Sequence, residues 1–564
     1  MYGERDGERR SLVLRPSLPL LVAVAFFFFL FVVPLSHVLA GASAEEFLEL
    51  VKTPRIQRIV ADTFIQAILS SIPSLLMAIP IAYFFAKYSF PGATIIRALF
   101  LVPFFTPAFA FAEALFLLFD PQGAINVILM RTLNLQAPPI SILYSMKAVV
   151  LAHVFYYTPL AAILLEGGFS SVDQNLIDAA QICGASSRKT FRRIVAHQLV
   201  PAFAAAFALV FVFSFLTFST PLLVGGNFYT TELEIYYYWS KLGGWPRART
   251  LSILQLAFNL AFISLVFWSR ERVFKARTLG EVGQLRREKL SLRLFRGGSG
   301  MIIVFAFIVL LFELLPVYAI LVSSVTDEPF SLLPRKLTAN NFIDLFRYDF
   351  GGGVSFTGSI TLSVLIAGFV SLITVAASLA TAYGLVHSDR KGRSALGAIT
   401  SMPLAVSSTA MALALYASYG VPPLGLYGRW ELIALAHMLY AFPLTTRIIE
   451  SALLKVNPDL VDASLTLGAS RAYTFFAVEI PIIGKNVFAA SLIAFSSSLS
   501  EFTFSYVFSV AGIQTMPVLV TRLLDRTIPL LDLASAGTSI ILAMIFLAVA
   551  ASAIVAKRGL GLAL

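Results

Sequence analysis

VDQNLIDAAQICGASSRKTF (172–191) recurs as VNPDLVDASLTLGASRAYTF (456–475), at a constant offset of 284 residues and with nine of twenty positions identical. Both are polar islands in an otherwise apolar chain, and each reads as a small helix–turn–helix. Asp173 and Asn457 are N-cap residues, and Pro458 stands at the first helical position, where a missing N–H costs nothing. Gly184 and Gly468 can take the left-handed conformation that ends a helix. Ser186 and Ser470 can then cap a second helix running into Phe191 and Phe475. A device built twice suggests a part that something else grips.

The rest of the chain sets where that device sits. Of 564 residues, 58% are hydrophobic and 13% charged, and the mean hydropathy is +0.84. Soluble domains carry about 25% charged residues, so an all-α polytopic membrane protein is expected. A span needs about 20 apolar residues to cross roughly 30 Å. The pattern predicts twelve: 17–40, 63–88, 94–119, 143–166, 201–225, 249–269, 300–325, 359–387, 395–420, 431–454, 485–510 and 531–556. Residues 18–40 form an apolar run too long for a signal-peptide core and are read as a retained span.

The net charge of +11 is read as membrane topology, not as nucleic-acid binding. On the twelve-span reading, 27 Lys/Arg fall on one side and 13 on the other, with Lys147 and Arg447 in or beside spans. The basic side is the cytoplasmic one, which puts both termini and both repeated stretches in the cytoplasm of a cell-membrane protein. The charged segment 270–297 reads as a cytoplasmic linker at the lipid surface. It divides a first half, 1–275, from a second, 298–564.

The repeat extends beyond the loops. Leu151-Ala152-His153 matches Leu435-Ala436-His437, and Tyr156, Pro159 and Glu166 match Tyr440, Pro443 and Glu450, all at 284. Ala82-Tyr83 matches Ala382-Tyr383, and Pro103 matches Pro403, at 300, so the first half has extra residues, mostly in its outer loop 120–141. With six spans per half, the copies share one topology. They form a parallel repeat about a pseudo-two-fold along the membrane normal, and a pathway between the halves is the expected consequence.

The loops resemble the EAA loops of ABC-importer permeases, and the ferric-iron and thiamine importer group resembles this chain in architecture. In that family the loop is a coupling helix seated in a separate ATPase subunit. The resemblance implies a type I importer permease fold and a coupling role for Asp178, Ala179, Gly184, Ala185, Ser186 and Phe191. In the second copy it implies the same role for Asp462, Ala463, Gly468, Ala469, Ser470 and Phe475. The copies depart from the family in having Asp for Glu and Ser464 for the second Ala. His197 with Pro201 follows the first loop, whereas Ile480-Pro481 with Lys485 follows the second. The implied partners are two ABC ATPases, which bring ATP and Mg, an extracytoplasmic solute-binding protein and a small-molecule substrate. Iron(III) ranks first among substrates, then thiamine or another small polar solute; polyamines, sulfate, molybdate and phosphonates stay open.

The chain has no GxxxxGK[ST] phosphate loop, so no ATP chemistry of its own is expected. The single Cys183 rules out an internal disulfide, and no catalytic or metal-ligand set stands out among the five scattered histidines. Ionisable residues in spans are costly and call for a hypothesis. Glu501, Glu113 and Thr217 (the 284-offset counterpart of Glu501) are candidates for the substrate pathway. Each has packing as its competing explanation, as do Glu313, His153 and His437. Pro159 and Pro443 are expected to kink their helices. Two other classes are weighed beside the importer. An ion-gradient-driven secondary transporter fits the duplicated spans but leaves the two loops unexplained. A membrane enzyme or scaffold finds no catalytic set.

Overall fold

The computed structural model describes residues 18–41, 43–240, 243–277, 285–290, 298–334, 336–387, 397, 399–510 and 512–557. They are almost entirely helical. Helix suits such a chain because it satisfies every interior N–H and C=O internally, which hydrocarbon cannot do. Among the described residues ten helices are long and apolar enough to cross a membrane. Their outward faces carry large side chains with nothing of this chain against them, such as Leu76, Met301, Leu372 and Leu547, each at least 60% exposed. Hydrocarbon is the solvent that fits those faces.

The difference between twelve expected spans and ten long helices has local causes. Expected span 395–420 is not one helix: helical residues 399–401 give way to a 3₁₀ turn Met402–Ala405, followed by a helix Ser408–Leu415 and a π turn Tyr416–Gly420. Pro403 and the Ser407 side chain, which accepts from Ala410 N–H, restart the helix there. Expected span 249–269 lies within Trp245–Arg277, where the side chains of 263–277 are outside the described set. Expected span 94–119 is cut by Pro103 and Pro107 into Ala93–Phe100, Val102–Phe105 and Ala108–Phe119. The expected spans 201–225 and 485–510 stop early, at Phe215 and Ser500, and each continues after a break as a short helix, Ser219–Val224 and Thr503–Val507. Pro159 and Pro443 lie inside the continuous helices Met146–Ser170 and Trp430–Leu453.

The halves are interlaced. The N-terminal helix of the first half packs on the second, with Phe26 5.3 Å from Phe442 and Ser418 Oγ 3.0 Å from His37. Helix Gly298–Ser324 of the second half packs on the first, with Phe312 stacked at 4.6 Å on Phe155. Two buried carboxylates fasten the halves further. Ser535 Oγ donates to Glu113 Oε1 at 2.7 Å, and Thr538 donates to the other oxygen. Ser407 Oγ donates to Glu232 Oε2 at 2.7 Å, while Gln255 Nε2 donates to Oε1 at 2.9 Å.

Close helix approach rests on small residues. A Cβ at Gly168 would lie 2.5 Å from Ala202 Cβ, so only glycine allows that crossing. Of the linker, residues 285–290 are described. Glu288–Lys289 pairs in parallel with Tyr88–Ser89, a two-residue strand after helix Pro54–Lys87. The breaks Gly280 and Gly283 lie outside the described residues.

Candidate functional site

Each repeated loop folds as its caps dictate. Asn175 N–H donates to Asp173 Oδ1 at 2.9 Å and Asp459 N–H to Asn457 Oδ1 at 3.0 Å, opening helices Gln174–Ile182 and Pro458–Thr466. Both helices end in the same way. Ala185 N–H reaches back to Ala180 C=O and Ala469 N–H to Ser464 C=O, with Gly184 at φ +79° and Gly468 at φ +86°. That is a Schellman closure, and the left-handed glycine is its requirement. Ser186 and Ser470 then accept from Lys189 and Tyr473 N–H to start Ser187–Thr190 and Arg471–Thr474. Each short helix runs through a π turn, Phe191–Val195 or Phe475–Glu479, into the next long helix. Five consecutive features thus repeat at one offset.

Neither Gln174–Ile182 nor Pro458–Thr466 contains a buried residue. Asp178, Ala179, Gly184, Ser186 and their counterparts Asp462, Ala463, Gly468 and Ser470 are exposed; Ala185 and Ala469 are half-buried. Ile182 is 87% and Leu467 88% exposed, apolar knobs with nothing of this chain over them. The two loops differ at Phe191 and Phe475. Phe475 is half-buried against Tyr383 at 4.7 Å, whereas Phe191 is 50% exposed. The loops also differ inside. Ser464 Oγ lies 3.0 Å from Thr474 Oγ1, which also donates to Ser470 C=O at 3.1 Å. In the first loop position 464 corresponds to Ala180, and the buried Thr190 Oγ1 has no partner among the described residues.

The membrane candidates fall into a symmetric set and an isolated one. His153 bonds to Gln66 and Ser70 through Nδ1, and its Nε2 lies 3.0 Å from Thr217 Oγ1. His437 bonds to Ser498 through Nδ1, and its Nε2 lies 3.0 Å from Glu501 Oε2 and 3.0 Å from Ser505 Oγ. The offset counterparts Thr217 and Glu501 therefore meet the same histidine in the two halves. Glu501 also accepts from Phe504 N–H at 2.9 Å and Ser505 N–H at 3.1 Å, capping helix Thr503–Val507. Its two oxygens are occupied by the protein, and it is 8% exposed. Glu113 is the inter-half tie described above. Glu313 is buried beside Thr158, with neither oxygen hydrogen-bonded among the described residues. Glu166 and Glu450 pair with Arg97 and Arg447 at 2.7 and 2.8 Å. Among the described residues no group of three or more His, Cys, Asp or Glu could hold a metal.

One pair was not singled out from the sequence. Phe218 and Phe502, again 284 apart, follow Thr217 and Glu501 and have ring centroids 6.4 Å apart with their planes 30° from parallel. Phe109, Tyr506 and Tyr236 surround them. Residues related by a two-fold touch one another only near its axis, which is where the expected parallel repeat would put this contact. Tyr156 and Tyr440, the next matched aromatics, lie in helices Met146–Ser170 and Trp430–Leu453, and Tyr440 is 47% exposed. The constant offset was the available signal; contact across the axis was not.

The family model described as binding-protein-dependent transport system inner membrane component matches residues 38–276 and 373–558, one copy in each half. Among curated relatives, the ferric transport system permease protein FbpB of Actinobacillus pleuropneumoniae is 23% identical over 79% of this chain and 64% of its own length. The chain thus spans just under two thirds of that relative. The thiamine transport system permease protein ThiP of Brucella suis is 28% identical over 57% of both chains. A putative 2-aminoethylphosphonate transport system permease protein of Salmonella typhimurium is 25% identical over 46% of this chain and 93% of its own. With both halves matched, the chain belongs to the binding-protein-dependent transport system inner membrane components, as a duplicated multi-pass membrane member of a family that carries no catalytic activity itself.

Proposed function

We propose that this chain is the membrane subunit of an ATP-driven importer of the type I architecture. Two six-span halves rock against each other about the Phe218–Phe502 axis and open a pathway alternately to either side. Both termini and both repeated loops are cytoplasmic, and two separate ATPase subunits seat on the loops. An extracytoplasmic binding protein delivers a small solute to the other face.

The observation that carries this reading is the pair of loops. Each is a capped, glycine-closed helix with no buried residue, on the same backbone plan, and each bears an almost fully exposed apolar side chain. In this reading the partner ATPase covers those side chains. Helix Ala196–Phe215 rises about 30 Å from the first loop toward Phe218, at 1.5 Å per residue. A push on the loop therefore passes through the π turn Phe191–Val195 and along one helix that ends three residues before Phe218. For the substrate, iron(III) ranks first, because relatives named for ferric transport align over 79% of the chain; thiamine follows. Phe218, Phe502, Tyr156, Tyr440 and Thr217 line the proposed route. Glu501 stands beside it and shapes it through His437.

The test is co-purification with the partner ATPase and assay of substrate-stimulated ATP hydrolysis. A Cβ at Gly184 or Gly468 would meet nothing of this chain within 4 Å, so Gly184→Leu with Gly468→Leu strains the left-handed turn and crowds the docking face without a clash inside this chain. The double variant should lose the stimulation. A complex that keeps both its association and its stimulated hydrolysis would sink the coupling role.

A further inference from the structure

The two loops share a backbone but not a surface. Positions 188, 189, 192 and 193 are Arg, Lys, Arg and Arg; their counterparts 472, 473, 476 and 477 are Ala, Tyr, Phe and Ala. All eight side chains are exposed. Their spacing sets them on one helical stripe, while Thr190 with Val195 and Thr474 with Glu479 take the buried side. Tyr473 and Phe476 are 65% and 69% exposed. The linker deepens the contrast. Leu285 N–H donates to Ser170 C=O at 3.2 Å and Arg286 N–H to Gln174 Oε1 at 3.4 Å, so the exposed Arg286 and Arg287 flank the first loop.

We infer that the two ATPase docking sites are chemically different: the first loop is held by a groove rimmed with carboxylates, the second by an apolar groove. The inference rests on the coupling role proposed above. The occupant is a protein and not the lipid surface for two reasons. The stripe runs without a break from the turn at Gly184 and Ser186. And the stripe lies on the same loop whose exposed turn and Ile182 the proposed ATPase covers. Attraction between exposed charges fades as the Debye length falls from about 8 Å at 0.15 M salt to about 3 Å at 1 M. Apolar contact does not fade in this way. The second short helix carries one exposed base, Arg471, where the first has Ser187, so salt should loosen the first site far more than the second.

The chain's single cysteine, Cys183, is exposed in the first loop and serves as the reporter there. Thr466→Cys in a Cys183→Ala background reports on the second, next to Leu467 and without removing that side chain. Maleimide labelling is followed in the full complex in lipid nanodiscs, between about 0.1 M and about 1 M sodium chloride. The Cys183 labelling rate should rise about tenfold or more, while that of Thr466→Cys stays within about twofold. The fourfold variant R188A/K189Y/R192F/R193A should make Cys183 as salt-indifferent as the second site. Equal salt responses at the two loops would overturn the inference. So would a Cys183 that stays protected at high salt, in which case the basic stripe serves the membrane. If the ATPase co-purifies but neither thiol is protected even at low salt, the coupling role itself falls, and this inference with it.

Discussion

One substitution should have opposite effects in the two loops. Thr190 and Thr474 are repeat counterparts, both buried, with relative exposures of 4% and 1%. Thr474 Oγ1 donates to Ser470 C=O at 3.1 Å and lies 3.0 Å from Ser464 Oγ. Thr190 Oγ1 has no partner among the described residues, because Ala180 stands where the second copy has Ser464. Valine has nearly the shape of threonine and a similar helix propensity, so Thr→Val changes little besides the hydroxyl. At position 474 it removes one partner from each of two bonds and strands Ser464, at a cost of about 1–2 kcal/mol. At position 190 it removes a buried, unsatisfied hydroxyl and should gain about 1 kcal/mol. At 1.4 kcal/mol per factor of ten, this is about fivefold slower local opening in the first loop and about five- to twenty-sevenfold faster opening in the second. Amide hydrogen exchange of the chain in nanodiscs without ATPase reads both directly, through the Ala185 and Ala469 amides that close the turns. Shifts of the same sign in the two loops would refute the reasoning.

Further outcomes follow from the packing. Glu501→Gln should destabilise the chain by about 1–3 kcal/mol, because glutamine offers one acceptor where Phe504 and Ser505 N–H each need an oxygen. Thermal unfolding in detergent checks it, and unchanged stability with altered substrate dependence would return Glu501 to the pathway. Gly168→Ala should cost about 1–3 kcal/mol by overpacking, since the new Cβ meets Ala202 at 2.5 Å; an unshifted melting curve would refute the tight crossing. Phe218→Ala with Phe502→Ala should raise passive leak of small solutes from proteoliposomes above that of either single variant. A double variant as tight as the parent would remove the pair from the pathway.

Several features were fixed by the sequence because they are local. Caps, a left-handed glycine and a constant offset are read within twenty residues, and the loops folded as Asp173, Gly184, Ser186 and their counterparts required. Hydropathy likewise marked most of the membrane helices. Span continuity was less legible where the chain restarts a helix: Ser407 caps a new one after Pro403, and Glu501 caps another where an unbroken span was expected. A carboxylate in an apolar stretch reads the same whether it faces a pathway or a helix end. What decides is which N–H groups lie within reach. Only the tertiary structure showed the interlaced first helices, the fastening of the halves through Glu113 and Glu232, and the Phe218–Phe502 contact. These join residues that are hundreds of positions apart, or repeat mates that meet only when both halves are packed. Composition and periodicity say which face of a helix is buried, but not which distant helix buries it.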